Sequence, residues 1–304
     1  MNRRWAPSIL ALAALLLVSH ASHHGAAQAP ARSVVTLIDA GSEPRQQLVY
    51  ATPFGAREAV MLTMRGTTRL GMAGFGAQTT VLPGTRILVE VGPIADAGAE
   101  RLMVPFRFTS AEALPADGLS AEAIARAQRE LQPLVGLEGF QLIDRQGVGT
   151  GVDLVIPPGT SPALAEQLQQ LRRGLRDMFA PFPSEPVGLG ASWQVRTPVV
   201  SHGANAEQVT TYRLRARSGD EIGLDVEITQ TAPAQALPDP QPGVRARLER
   251  LSTTGSGTME LKLSHLVPAI HWTARSEAQT TVTMQGFEQP MRADVDVEVW
   301  LGLP

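Results

Sequence analysis

From Ile270 onward the chain alternates. Ile270, Trp272, Ala274, Ala278, Val282 and Met284 fall on one side of an extended chain; His271, Arg275, Glu277, Gln279 and Thr281 fall on the other. After Gln285-Gly286 the pattern resumes, with Val295, Val297 and Val299 set against Asp294, Asp296 and Glu298. A period of two sends successive side chains to opposite faces of a strand, so this region reads as a long hairpin with one wet and one buried face. Such one-sided sheets are antiparallel, and their apolar face needs a cover.

The same pattern recurs upstream. Val34 to Ile38, Gln47 to Thr52, Ala59 to Arg65, Thr85 to Val91 and Arg101 to Thr109 read as strands, punctuated by Pro53, Gly66, Pro83-Gly84 and Gly92-Pro93. Pro105 inside its run predicts an edge or a bulge. Further on, Trp193 to Thr197, Thr210 to Arg217 and Glu221 to Thr229 read as strands, and the proline-rich stretch Pro233 to Gly243 as a loop. Val244 to Leu251 and Thr258 to Leu263 flank Thr254-Gly255-Ser256-Gly257, which is expected to be a hairpin turn.

Two helices are expected in the middle. The first opens at Ser120 with Glu122 in its first turn, carries Ile124, Ala127, Leu131 and Leu134 at helical spacing, and ends at Pro133 and Gly136. The second opens at Ser161-Pro162 and lines up Leu164, Leu168, Leu171, Leu175 and Met178, with Glu166, Gln170, Arg173 and Asp177 off that stripe. Phe140 to Asp144 and Gly151 to Ile156 form a hairpin between them. The predicted class is α+β, mainly β: a curved antiparallel, half-barrel-like sheet packed on two helices. One domain over 33–304 is expected, with strands in 33–110, helices and hairpin in 119–180, and strands in 190–304. Two β-domains, one on each side of the helices, are the alternative.

The start of the chain has the layout of a secretory signal peptide over residues 1–21. Arg3-Arg4 leads into the apolar run Ile9 to Val18, and Ser19-His20-Ala21 supplies small residues for cleavage. That run is shorter than the roughly 20 residues a membrane span needs. Residues 22–32 read as a disordered leader, and His23 and His24 there lack a third metal ligand. The expected location is therefore exported, periplasmic or extracellular, without a membrane span.

The chain has no cysteine, so an exported fold must rest on its core, and thiol chemistry is excluded. Lys262 is its only lysine, and the formal charge is −3. Loss of Arg3 and Arg4 would bring that to about −5, which argues against nucleic acid and anionic membrane as partners. Two tyrosines are too few for the aromatic girdles of an outer-membrane barrel.

No catalytic pattern emerges. There is no Gly-x-Ser-x-Gly elbow, His-Glu-x-x-His motif or phosphate-cradling glycine loop. His202, His265 and His271 read as ordinary surface or satisfied histidines, and Asp294, Asp296 and Glu298 as the solvated side of a strand rather than a cation site. The expectation is a protein that is not an enzyme, with no cofactor, no metal site and no assigned catalytic or ligand-binding residue.

The most distinctive string runs from Phe182-Pro183-Ser184-Glu185-Pro186-Val187 through Gly188-Leu189-Gly190-Ala191-Ser192 to Trp193. Its prolines and glycines read as a helix-to-strand connector that Phe182 and Trp193 pack onto the sheet. With Thr211-Tyr212-Arg213-Leu214 and Gly219 ahead of Ile222, this F-P-x-x-P-V-x-x-G-x-x-W stretch resembles a family of uncharacterised exported bacterial proteins. The resemblance spans about Leu164 to Val226 and implies export but no site residue. Lipid-anchored members carry a cysteine after the signal, which this chain lacks. The architecture is also similar, more loosely, to periplasmic lipoprotein carriers, in which helices lid an open barrel over an apolar cavity.

Three functions follow as expectations, the least favoured being a hydrolase with an unrecognised site. The first is a soluble interaction module that docks onto envelope proteins through strand edges or loops. The second is a carrier of a lipid or other hydrophobic small molecule between sheet and helices. The small residues Ala274, Ala278, Val282, Met284, Val295 and Val297 would leave room for an acyl chain.

Overall fold

The structure is a computed structural model; it describes residues 33–156, 168 and 179–304, apart from positions 73, 75, 202 and 242. The N-terminal segment 1–32 and most of the expected second helix, 161–178, lie outside the described residues.

Antiparallel pairing builds one fourteen-stranded sheet. Its strands are β1 (Val34–Asp39), β2 (Glu58–Met72), β3 (Gly76–Val91), β4 (Ala95–Asp96), β5 (Arg101–Leu114), β6 (Glu138–Asp144) and β7 (Gly149–Val155). They continue with β8 (Ser192–Ser201), β9 (Ala204–Ser218), β10 (Glu221–Ala232), β11 (Gln235–Gln241), β12 (Val244–Lys262), β13 (Ala269–Met284) and β14 (Phe287–Gly302). The spatial order is β1-β8-β9-β10-β12-β13-β14-β2-β3-β5-β6-β7, with β11 beside β12 and β4 beside β5. Each half is a meander, and the β14–β2 ladder joins them, with Val297 opposite Gly66.

This corrects the expected class. The fold is mainly β, not a sheet packed on two helices: the described residues contain one short α-helix, α1 (Ala121–Leu131), followed by a 3-10 turn. Ser120 caps α1 by accepting from the Ala123 amide at 3.2 Å. Ala127 and Leu131 are its buried residues. The Gln128 side chain clips α1 to β5, accepting from the Ala113 amide at 2.8 Å and donating to the Ala111 carbonyl at 2.9 Å. Leu168 is buried, in one cluster with Leu131, Phe108 and Leu154.

The strands outrun their sequence signals because ladder pairing carries them through stretches with weak alternation. Thr254-Gly255-Ser256-Gly257 is no turn; it lies mid-strand in β12, paired with β10 on one side and β13 on the other. The proline-rich loop contains β11. Gln47 to Thr52 is not a strand: an isolated bridge from Gln46 to Val187 and single amide bonds from Tyr50 to the Arg145 carbonyl and from Ala51 to the Leu263 carbonyl hold it, while Leu48 and Tyr50 are buried in the core. Strand β5 is interior rather than an edge, and its bulge against β3 falls at Thr109, not Pro105. Pro105 sits one residue beyond the end of the β3 ladder, where a missing N–H breaks no ladder bond. The Gln285-Gly286 turn forms as expected, with both φ angles positive at 51° and 83°.

Candidate functional site

Strand register arranges the inner face of the sheet into rows. One row runs Gly66 on β2, Val297 on β14, Ala274 on β13, Gly255 on β12 and Ile228 on β10, each directly opposite the next. Leu82 on β3 faces Gly66 and continues it. Six neighbouring strands at about 4.8 Å spacing give a row about 24 Å long. Two glycines and an alanine remove the side chains that would fill the concavity. The result is a mainly apolar trough of about 780 Å³, bounded on one side by Pro115 and Ala116 beyond β5. That volume lies within the range of small-molecule sites.

The glycines also permit a close backbone approach. A Cβ on Gly66 would stand 2.8 Å from the Asp296 carbonyl oxygen, and one on Gly255 equally close to that of Thr273. Neighbouring backbone therefore approaches too near for a side chain at either position.

One end of the sheet is plugged instead. Tyr50 stacks on Phe182 at 5.0 Å, Phe182 meets Trp193 edge-on at 6.4 Å, and Trp193 stacks on Tyr212 at 5.6 Å. Trp193 Nε1 donates to the Pro181 carbonyl at 2.8 Å. Burial, with Tyr212 alongside, pushes the Tyr50 phenol well above its ordinary pKa; its hydroxyl donates to the Ala180 carbonyl at 3.3 Å. Phe182, Val187 and Trp193, from the string that carried the family resemblance, are thus structural plug residues.

On the other side of the trough, two residues along each strand, the same face turns polar. Thr68, Val295, Ser276, Thr253, Gln230, Gln208 and Thr197 stand opposite one another in series. Thr253 donates to Ser276 at 2.9 Å, Gln208 Nε2 to Thr210 at 3.3 Å, and Thr197 shares a 3.0 Å hydrogen bond with Ser33. Thr68 Oγ1 and Gln230 Nε2 are buried without a partner.

The residues singled out from sequence are dispersed. His265 lies 3.3 Å from Glu58, whose carboxylate accepts from the Leu266 and Val267 amides. His271 sits on the outer face, 2.9 Å from Glu298 and stacked on Trp300. His202 is outside the described residues. Asp294, expected on the solvated side of its strand, is instead buried, where it pairs with Arg292 at 2.8 Å; Asp296 pairs with Arg275 at 3.8 Å, so with Glu298 all three acids have a cationic or imidazole neighbour. Among the described residues, no three His, Asp or Glu side chains gather as a metal site.

Of the small residues expected to line a cavity, Ala274 and Val297 line the trough. Ala278 packs with Leu248 and Leu251, Val295 with Met64, and Met284 is exposed at the far hairpin end. Sequence reasoning missed Gly66 and Gly255 by reading them as punctuation. Their parity with Val297 and Ala274 was the available signal. No protein-family model matches the chain, and no curated protein matches its sequence.

Proposed function

We propose that the protein is an exported, non-enzymatic carrier that shields an apolar ligand, such as an acyl chain, in the trough. The supporting observation is the registered row of Gly66, Ala274 and Gly255, which leaves about 780 Å³ open over a mainly apolar floor. A filled interior is the default for a protein of this size, so an open apolar trough calls for an occupant. The N-terminal signal-like segment supports export.

The test is mass spectrometry of an organic extract from protein purified without detergent out of a bacterial envelope. A stoichiometric lipid is expected. The Ala274→Phe variant, which fills the trough without touching a strained backbone, should lose at least about ten-fold of that load while its melting temperature holds or rises. An empty extract, both as purified and after incubation with envelope lipids, would sink the carrier reading.

A second reading is a docking module. Val34 and Ile38 on β1, the end strand of the sheet path, are 57% and 59% exposed. An apolar end strand can accept a partner strand. Ile38→Lys should then abolish capture of an envelope protein without altering lipid load.

A further inference from the structure

We infer that the projecting end of the sheet is a docking surface for an anionic lipid bilayer, entered by its hairpin ends with Phe287 and Met284 leading. The inference stands apart from the trough and does not depend on it.

Three observations carry it. First, this end runs beyond the rest of the sheet. Strand β5 pairs with β3 only between Gly84 and Val91, and β9 pairs with β10 only as far as Thr231. Past those limits β11, β12, β13, β14, β2 and β3 continue side by side. From Ala278 to Met284, β13 alone reaches about 20 Å further. Second, the inner face of this projection is apolar and, among the described residues, uncovered. Register puts Leu70 opposite Ala293, Met72 opposite Met291, and Met284 between Val244 and Phe287. Phe287 is 80% and Met284 54% exposed, and Met72 and Leu70 are exposed beside them. Large apolar side chains gathered in the open on one face mark an interaction site.

Third, charge is segregated onto the opposite face. Arg69, Arg245, Arg247, Arg250 and Arg292 alternate with the apolar positions, and all five are exposed. Over 69–79, 235–250 and 279–292 these five arginines meet three acids, Asp239, Glu249 and Glu288, a formal +2 in a chain of −3. The whole-chain charge, which argues against an anionic membrane, hides this local reversal. A plate that is apolar on one side and cationic on the other fits the headgroup boundary of a bilayer. Its apolar side chains enter the acyl region, and its guanidinium groups reach lipid phosphates on flexible stems. A second copy of the chain would cover the apolar face yet give the arginines no role, whereas an anionic bilayer engages both faces.

The test is flotation of protein, purified from a bacterial envelope without detergent, with vesicles of phosphatidylcholine alone or mixed with phosphatidylglycerol. Wild type should bind the mixed vesicles at least about five-fold more tightly, and high salt should erase the difference. Phe287→Ser should weaken binding to mixed vesicles about ten-fold. The double variant Arg245→Gln, Arg247→Gln should weaken it by a similar factor and leave binding to phosphatidylcholine unchanged. These positions are exposed, so melting temperatures should hold. Phe54→Ser removes another exposed aromatic, ahead of the opposite end of β2, and should change nothing.

Equal binding to both vesicle types overturns the inference, as does binding that Phe287→Ser leaves intact. Wild type that ignores both vesicles overturns it as well. If that protein also sediments as a dimer that Phe287→Ser splits, a second copy covers the face instead.

Discussion

The plugged end and the trough are built from the same sheet face, a row or two apart, yet they have opposite contents. At the plug, Trp193, Tyr50 and Phe182 are essentially fully buried and touch ring to ring. At the trough, Gly66, Ala274 and Gly255 occupy equivalent inward positions on neighbouring strands. Backbone geometry therefore does not decide whether this interior is solid or hollow; side-chain volume does. The fold can set aside stability in one zone because the other zone supplies it.

The sharpest way to break this contrast is to hollow the plug. Trp193→Ala should cost about 3–5 kcal/mol through lost packing. It also leaves the Pro181 carbonyl without its donor. Thermal unfolding followed by circular dichroism would show a large drop; a melting temperature close to wild type would mean the plug is not the stabilising zone.

A smaller push on the same zone is Gly147→Ala. Gly147 has φ of 82°, and a Cβ there would lie 2.6 Å from both the Ala180 carbonyl oxygen and Tyr50 Cε2. The expected cost is about 1–3 kcal/mol. Gly286 has a φ of 83° with nothing within 4 Å, so Gly286→Ala isolates the backbone part. It should cost about 1 kcal/mol. Equal melting temperatures for the two variants would show that the plug yields easily.

The smallest effect is a pH dependence at the plug's rim. Ser264 donates to Asp220 at 2.6 Å and holds that carboxyl below its ordinary pKa. A lowered carboxyl pKa contributes stability above the ordinary Asp value of about 3.9 and loses it as pH falls through the folded-state value. Ser264→Ala should therefore sit slightly below wild type at neutral pH and converge with it in acid. A gap that widens in acid would reverse the assignment.

Parts of this were legible from residues alone. The alternation of β13 and β14, the Ser120 cap and the hairpin at Gln285-Gly286 are local, and local chemistry writes them into the sequence. The trough was only half legible. Ala274 and Val297 stood out by parity, but Gly255 looked like a turn because a glycine-rich tetrapeptide usually is one. Its strand conformation is imposed by Ile228 and Ala274 on either side, contacts that no short window contains. The polar row was illegible for a similar reason. Thr68 and Gln230 are ordinary surface residues until register lines them up across strands distant in sequence.

The β14–β2 ladder has a kinetic side. It pairs Val297 with Gly66, over two hundred positions apart, and it is what turns two meanders into one sheet. Nearly every other ladder links strands close in sequence, so each meander can assemble early and alone. The seam must wait for β14, and until then both halves present raw edges to whatever is nearby. A chain delivered whole before it folds avoids that interval, whereas one folding from its first residues forward would spend its longest wait at this point.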